Sequence, residues 1–218
     1  MDLTHHLRNG MPVYPGDPLP SFESCATLQR DGVNLTKLVM GSHTGTHLDA
    51  PKHFIQDGIG IDQIPPSKLI GEAYVADLSK KEIGSGITAE DLRELRGPIG
   101  PDDIVACYTG CSKRWGDDSV RKNYTYITAD AADYLVSRRI RAVGIDFLSV
   151  EKFKAAEPVA HRILLSNGIF IIESLSDALE RFVGKRILMI CMPIKLEGGD
   201  GAPARVIAVP IQKSHHKQ

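Results

Sequence analysis

Three of the chain's eight histidines fall in the eleven residues His43–His53, within Gly-Ser-His-Thr-Gly-Thr-His-Leu-Asp-Ala-Pro-Lys-His-Phe. Even scattering over 218 residues would place about 0.4 there, so the clustering points to a site. The spacing says more than the count. His43, Gly45, His47, Asp49, Pro51 and His53 all carry odd numbers, and in extended backbone alternate side chains share a face. The expectation is an extended segment with every potential ligand on one side. A helix would also align His43 with His47, but Gly45, the flanking threonines and Pro51 disfavour it. Gly45, lacking a Cβ, is expected to leave room between the imidazoles for an ion or substrate.

Two imidazoles and a carboxylate form the donor set of zinc, manganese or iron in sites with open positions. A divalent ion lowers the pKa of its water toward about 7 and makes hydroxide available. His53, with an ordinary pKa of about 6.5, suits a general acid/base that stays off the metal. Three imidazoles and a carboxylate in one register are hard to explain as solvated loop residues. His161 and Glu173 are candidates to complete the centre. His161 is the only other interior histidine, and Glu173 closes an apolar run, where a strand end puts a carboxylate at the sheet rim. Spacing alone leaves His161 open and ranks Glu173 level with several other acids. The pairs His5-His6 and His215-His216 near the chain ends read as incidental surface residues.

Positioning these groups requires a sheet. Strands are predicted at Thr36–Met40, Ala73–Leu78, Asp103–Tyr108, Ala142–Asp146, Ile169–Ile172, Arg186–Met192 and Ala204–Pro210. Helices are predicted at Thr88–Arg96, Thr128–Arg139, Pro158–Asn167 and Ser176–Phe182, from their capping residues and the glycines that stop them. Strands outnumber helices, so an α/β domain with a large sheet component is expected.

With 26 Lys+Arg against 27 Asp+Glu, the net charge of −1 argues against a nucleic-acid partner, which needs a basic surplus or stripe. Hydrophobic residues at 42% and charged residues at 24% suit a globular chain that needs no disulfide staples. No apolar run reaches the roughly 18–20 residues of a membrane span, and Met1–His6 resembles no signal peptide. A cytoplasmic protein with no membrane partner is expected. The cysteines Cys25, Cys107, Cys111 and Cys191 show no C-x-x-C pair; Cys107 and Cys191 read as core, and Cys111, after a glycine, could be reactive. Phosphate-loop, dinucleotide, nucleophile-elbow and H-E-x-x-H motifs do not occur in the sequence.

The run from His43 to His53 resembles the H-x-G-T-H-x-D-x-P-x-H signature of the cyclase family of metal-dependent hydrolases. The resemblance covers almost the whole chain. It includes Asp2-Leu3-Thr4-His5, Met11–Asp17, Tyr108-Thr109-Gly110, Gly144-Ile145-Asp146, His161–Leu165, Ile171–Leu175 and Gly199–Arg205 in family order. It implies a swivelling β/β/α domain over residues 1–212, with a mixed sheet or barrel-like core, followed by a polar tail, 213–218. It implies one or two divalent ions per subunit, zinc first and manganese or iron as alternatives. His43, His47 and Asp49 would hold one ion, Asp49 would bridge to a second, and His161 and Glu173 would complete the pair. His53 would be the proton donor/acceptor. A homodimer or homotetramer is implied, as is a small aromatic amide or lactam as substrate. The implied activity is arylformamidase: N-formyl-L-kynurenine and water give L-kynurenine and formate. Alternatives are a ring-opening lactam hydrolase of the isatin type and a non-catalytic metal- or ligand-binding module. Tyr14, as the substrate-binding residue, stands where kynurenine formamidases commonly carry Trp, and it retains a ring that can stack.

Overall fold

The computed structural model describes residues 1–211. Its elements, in chain order, are β1 (Ser21–Ala26), α1 (Leu28–Asp31), β2 (Leu35–Val39), β3 (His47–Asp49), β4 (Ile70–Asp77), β5 (Gly86–Ile87), α2 (Ala89–Arg93) and β6 (Ile104–Tyr108). There follow β7 (Tyr126–Ile127), α3 (Ala129–Ser137), β8 (Ala142–Ile145), α4 (Val159–Ser166), β9 (Phe170–Glu173), β10 (Arg186–Pro193) and β11 (Gly201–Pro210).

Seven strands close into a barrel in the order β10-β11-β3-β9-β8-β6-β4. The run β4-β6-β8-β9 is parallel, while β10, β11 and β3 complete the circle through antiparallel pairs. Parallel neighbours need crossover connections, and α2, α3 and α4 lie within those three crossovers. Strand alternation then sorts the apolar side chains into two cores. Ala73, Val75, Ile104 and Ala106 point into the barrel. Tyr74, Ala76, Val105 and Cys107 point outward, where Leu135 and Leu164 of the helices cover them. The barrel-like α/β architecture is the expected one.

Local signals account for the element ends. Thr88 and Asp91 form a reciprocal capping box at the start of α2. Gly168, at φ +70°, stops the chain just beyond α4. The predicted Ser176–Phe182 helix is a 3-10 segment, Asp177–Phe182. β1 and the short β3, β5 and β7 are additional to the predicted strands. Among the described residues β1 pairs only with β2, and every residue of β2 is exposed, so this hairpin stands outside the barrel's hydrophobic pattern. Cys107, Cys111 and Cys191 are buried and Cys25 is exposed, all four as free thiols. Cys111 packs among Val120, Tyr124 and Phe147, which removes it from reagents in solution. Among the described residues no helix is long and apolar enough to cross a membrane. The tail 213–218, with His215 and His216, lies outside the described residues.

Leu48 is the inward anchor of β3, fully buried between the outward-facing His47 and Asp49. Leu48→Ala should cost about 2–5 kcal/mol. Urea unfolding should show this as a lower midpoint at unchanged slope.

Candidate metal centre and its cleft

Because Leu48 enters the barrel, His47 and Asp49 share the outer face of β3. His47 lies directly opposite Glu173, the last residue of β9, which leaves the barrel where Ile172 enters it. His161 arrives from α4, whose buried side consists of Ala160, His161, Leu164 and Leu165. His43 and His53 arrive by a different route from the one expected. The segment is not extended throughout: the Thr44 N–H donates to the Gly41 carbonyl, Gly45 takes φ +69°, and Pro51–His53 is a 3-10 turn. Alternation therefore brings together only His47 and Asp49, while the turns on either side bring in the other two. Gly45 also serves another purpose. A Cβ there would meet Leu7 and Met11 at 3.0 Å, so the residue answers to left-handed backbone and close packing rather than to space for an ion. The space for His43 comes from Gly201, whose Cβ would stand 2.6 Å from the imidazole Cε1.

All six residues converge. Asp49 Oδ1 is 2.9 Å from His43 Nδ1 and 3.3 Å from His47 Nε2. His47 Nε2 is 3.4 Å from Glu173 Oε2, and His161 Nε2 is 3.3 Å from Glu173 Oε1 and 3.6 Å from Asp49 Oδ2. The His53 ring stacks on His43 at 3.9 Å between centroids. Donor atoms of His43, Asp49 and His53 lie within 4.8 Å of one another, as do those of His47, Asp49 and Glu173. Asp49 belongs to both groups. The chemistry fits a cation: among the described residues, the buried His47 Nε2 and Asp49 Oδ2 have no hydrogen-bond partner, although opposite charges surround them. Groups left in that state cost about 1–3 kcal/mol each, a demand that a coordinated ion meets.

Electrostatics tie the cluster together. Burial alone would lower the pKa of His47, but Asp49 and Glu173 outweigh it and raise it to about 10. Burial likewise opposes, and Glu151 and Glu173 overcome, to raise His161 to about 10. Burial would raise Asp49, yet His43 and His47 hold it well below the usual carboxylate range. His53 differs: burial lowers its pKa, and its side chain, 26% exposed against 2% for His47 and 5% for His161, borders the cleft.

Two contributors escaped the sequence reading. Asp200 Oδ2 lies 3.0 Å from His43 Nε2 and 3.4 Å from His53 Nδ1, linking the two rings. Glu151 accepts hydrogen bonds from the Ala160 and His161 N–H groups and faces His161 Nδ1 at 3.4 Å. Both acids are remote in sequence from the ring they orient, and Asp200's only local signal is its glycine-rich turn. His5 is a correction. It is half-buried and stacked on Trp115 at 3.9 Å, and burial lowers its pKa to about 4; His6 is exposed, as expected. The cluster opens into a cleft of about 370 Å³. Its apolar wall includes Tyr14, Phe54, Leu148, Ala155 and Pro158. Tyr14 is backed by Phe153, ring centroids 5.7 Å apart.

A closed mixed barrel that presents buried imidazoles and carboxylates to an apolar cleft defines a candidate metal centre. The chain belongs to the cyclase family, whose model, described as "Putative cyclase", matches residues 1–152. A kynurenine formamidase of Bacillus cereus is 29% identical over 212 residues, covering 97% of each chain. An uncharacterized protein of Methanocaldococcus jannaschii is 35% identical over 213 residues, covering 96% of this chain and 98% of its own. An isatin hydrolase bound to the product analogue thioisatinate superposes with a TM-score of 0.89 at 27% identity, over 97% of this chain and 92% of that one. A potential metal-dependent hydrolase with cyclase activity superposes at 0.82 with 32% identity, over 98% of both.

Two measurements test the centre. A pKa of about 10 leaves His47 and His161 protonated at pH 7.5 without an ion, so zinc must displace those protons. Calorimetry in buffers of different ionisation enthalpy should show net proton release, with affinity falling as the pH falls. Histidines whose folded pKa is raised stabilise the metal-free protein below pH 6.5 and lose that contribution toward pH 10. Metal-free stability and zinc affinity should therefore slope in opposite directions over that range. Separately, Glu151→Gln should weaken zinc binding by about 10–100-fold in a chelator competition.

Proposed function

We propose that this protein is a metal-dependent hydrolase of an amide-type carbon–nitrogen bond, and most specifically an arylformamidase. The observation that carries the reading is Asp49, which belongs to both donor groups, His43–Asp49–His53 and His47–Asp49–Glu173, with His53 the most exposed of these imidazoles at the cleft. His43, His47 and Asp49 would hold one ion; Asp49, His161 and Glu173 would hold a second. Zinc suits this donor set, and manganese and iron are the alternatives. A divalent ion in such a site supplies Lewis acidity, polarising a carbonyl oxygen and making water a stronger acid.

The chain's own residues do the rest. His53, with its pKa lowered by burial, is neutral at pH 7 and so accepts a proton from the attacking water. It then returns the proton to the departing nitrogen as the formyl carbon–nitrogen bond breaks. Formate and the free arylamine leave. Asp200, 3.4 Å from His53 Nδ1, holds the ring in place through both transfers. Glu151 orients His161, and the Val150 N–H, donating to Glu173 Oε1 at 2.6 Å, fixes the second carboxylate. Tyr14 gives an aryl ring a surface to stack on. The apolar side chains Leu35, Leu38 and Val39 on the exposed β2 fit a homo-oligomer in which they are covered.

The likeness to an isatin hydrolase favours a second reading, opening of a lactam ring by the same chemistry. Zinc-loaded protein assayed on N-formyl-L-kynurenine and on isatin separates the two. Turnover of the formamide is expected; turnover of isatin alone transfers the assignment to the lactam, and turnover of neither rejects both. His53→Ala should lower kcat by about 10²–10⁴-fold while zinc remains bound. Equal activity in that variant would remove His53 from the mechanism.

A further inference from the structure

Two charged side chains line the cleft without belonging to the cluster or orienting it: Asp17 and Lys152. Their signs are opposite. Neither has an ion-pair partner within 4.0 Å among the described residues. Lys152 instead carries its Nζ 5.8 Å above the Tyr126 ring. The backbone explains why they face the same space. The Asp17 N–H donates to the Tyr14 carbonyl at 3.0 Å, closing a tight turn that includes Gly16 at φ +115°. Aromatic ring and carboxylate therefore project from one turn. On the facing segment Lys152 precedes Phe153, and the Tyr14 and Phe153 rings meet at 5.7 Å. Both residues thus line the same cleft as the imidazoles, from two segments joined by that aromatic contact.

A cleft that carries reactive imidazoles, an apolar wall and exposed side chains of both signs matches a particular kind of substrate. It is an aryl amide whose far end is zwitterionic. A flat neutral lactam would leave both charges unused, and a simple anion would be repelled by Asp17. We propose that Lys152 and Asp17 form a headgroup site that reads a free amino acid function, Lys152 taking the carboxylate and Asp17 the ammonium. The inference rests on the arylformamidase reading and adds its specificity determinants. Both groups are exposed, so each contact is a solvent-screened pair whose effect is a few-fold, and the two together set the preference.

The test compares kcat/KM for N-formyl-L-kynurenine with that for its neutral truncation, N-formyl-2-aminoacetophenone, on zinc-loaded protein. Wild type should prefer the zwitterion by about three- to tenfold, and the preference should shrink as salt is raised from about 0.05 to 0.5 M. In Lys152→Ala and in Asp17→Asn the ratio should fall toward one, through KM for the zwitterion rather than kcat. Lys152→Glu should invert the ratio, and Lys152→Arg should restore it. Equal ratios in wild type and in the two neutral variants overturn the headgroup site, as does wild type with no preference; in both cases the formamidase reading stands. If wild type cleaves neither formamide, the formamidase reading fails and the headgroup site fails with it.

Discussion

A carboxylate with no exposed surface, Asp49, sits within hydrogen-bond or ion-pair distance of three imidazoles. Much of the structure follows from that constraint. Burying a charge is costly unless it is paired, and pairing it with several cations concentrates more charge in the same place. Glu173, 4% exposed, adds a second negative charge that raises His47 and His161 further. Burial thus ties these acids and imidazoles to one another, and they are the donor types a divalent ion takes. Among the described residues, His47 Nε2 and Asp49 Oδ2 have no hydrogen-bond partner there.

The barrel is what makes such a concentration tolerable. The three residues of β3 are clamped by antiparallel pairing to β11 on one side and β9 on the other, so His47 and Asp49 have little freedom to separate. The parallel half does the complementary task. Its crossover helix α4 presents His161, and the same crossover carries Glu151, which accepts from N–H groups in the helix's first turn and faces the imidazole. One carboxylate thus satisfies orphan donors at a helix start and fixes a ring that must point at the cluster. Asp200 plays the corresponding part in the antiparallel half. It stands just before β11, where Gly201 lets His43 approach the backbone without a clash.

The donor types were legible in the sequence because they are crowded into eleven residues. How they converge was not. Odd numbering argued for one extended face, but the backbone alternates strictly only across His47–Asp49, and the left-handed Gly45 and the 3-10 turn deliver the others. Residue type alone cannot separate a glycine that makes room for a ligand from one that makes room for Leu7 and Met11. Buried strands such as β4, β6 and β8 showed as apolar runs since both faces are covered. β1 did not, because its sequence Ser-Phe-Glu-Ser-Cys-Ala is mixed and it pairs only with an exposed partner. Asp200 and Glu151 were invisible for a different reason. Their partners His43 and His161 are 157 and 10 residues away, and contact at that range is a product of topology. His5 was misjudged on similar grounds: lying near the chain start suggested exposure, and Trp115 covers it.

Centre and cleft differ in how they are built, and the difference bears on how proteins alike in fold can carry the names kynurenine formamidase and isatin hydrolase. Four of the six clustered residues lie on barrel strands or on the helix packed against them, where moving a side chain disturbs a fully buried core. The cleft wall is made of other material: the turn Tyr14–Asp17, Phe54 beyond a 3-10 turn, and the connection from Leu148 to Pro158. Connections of this kind tolerate substitution because few packed neighbours depend on them. The one place where the two systems interlock is the segment from Leu148 to Pro158, which lines the cleft and also supplies Glu151. A change of substrate there must preserve a carboxylate at one position while altering its neighbours. Lys152, adjacent to Glu151 yet free of any bond to the cluster, occupies a position that can vary without disturbing the centre.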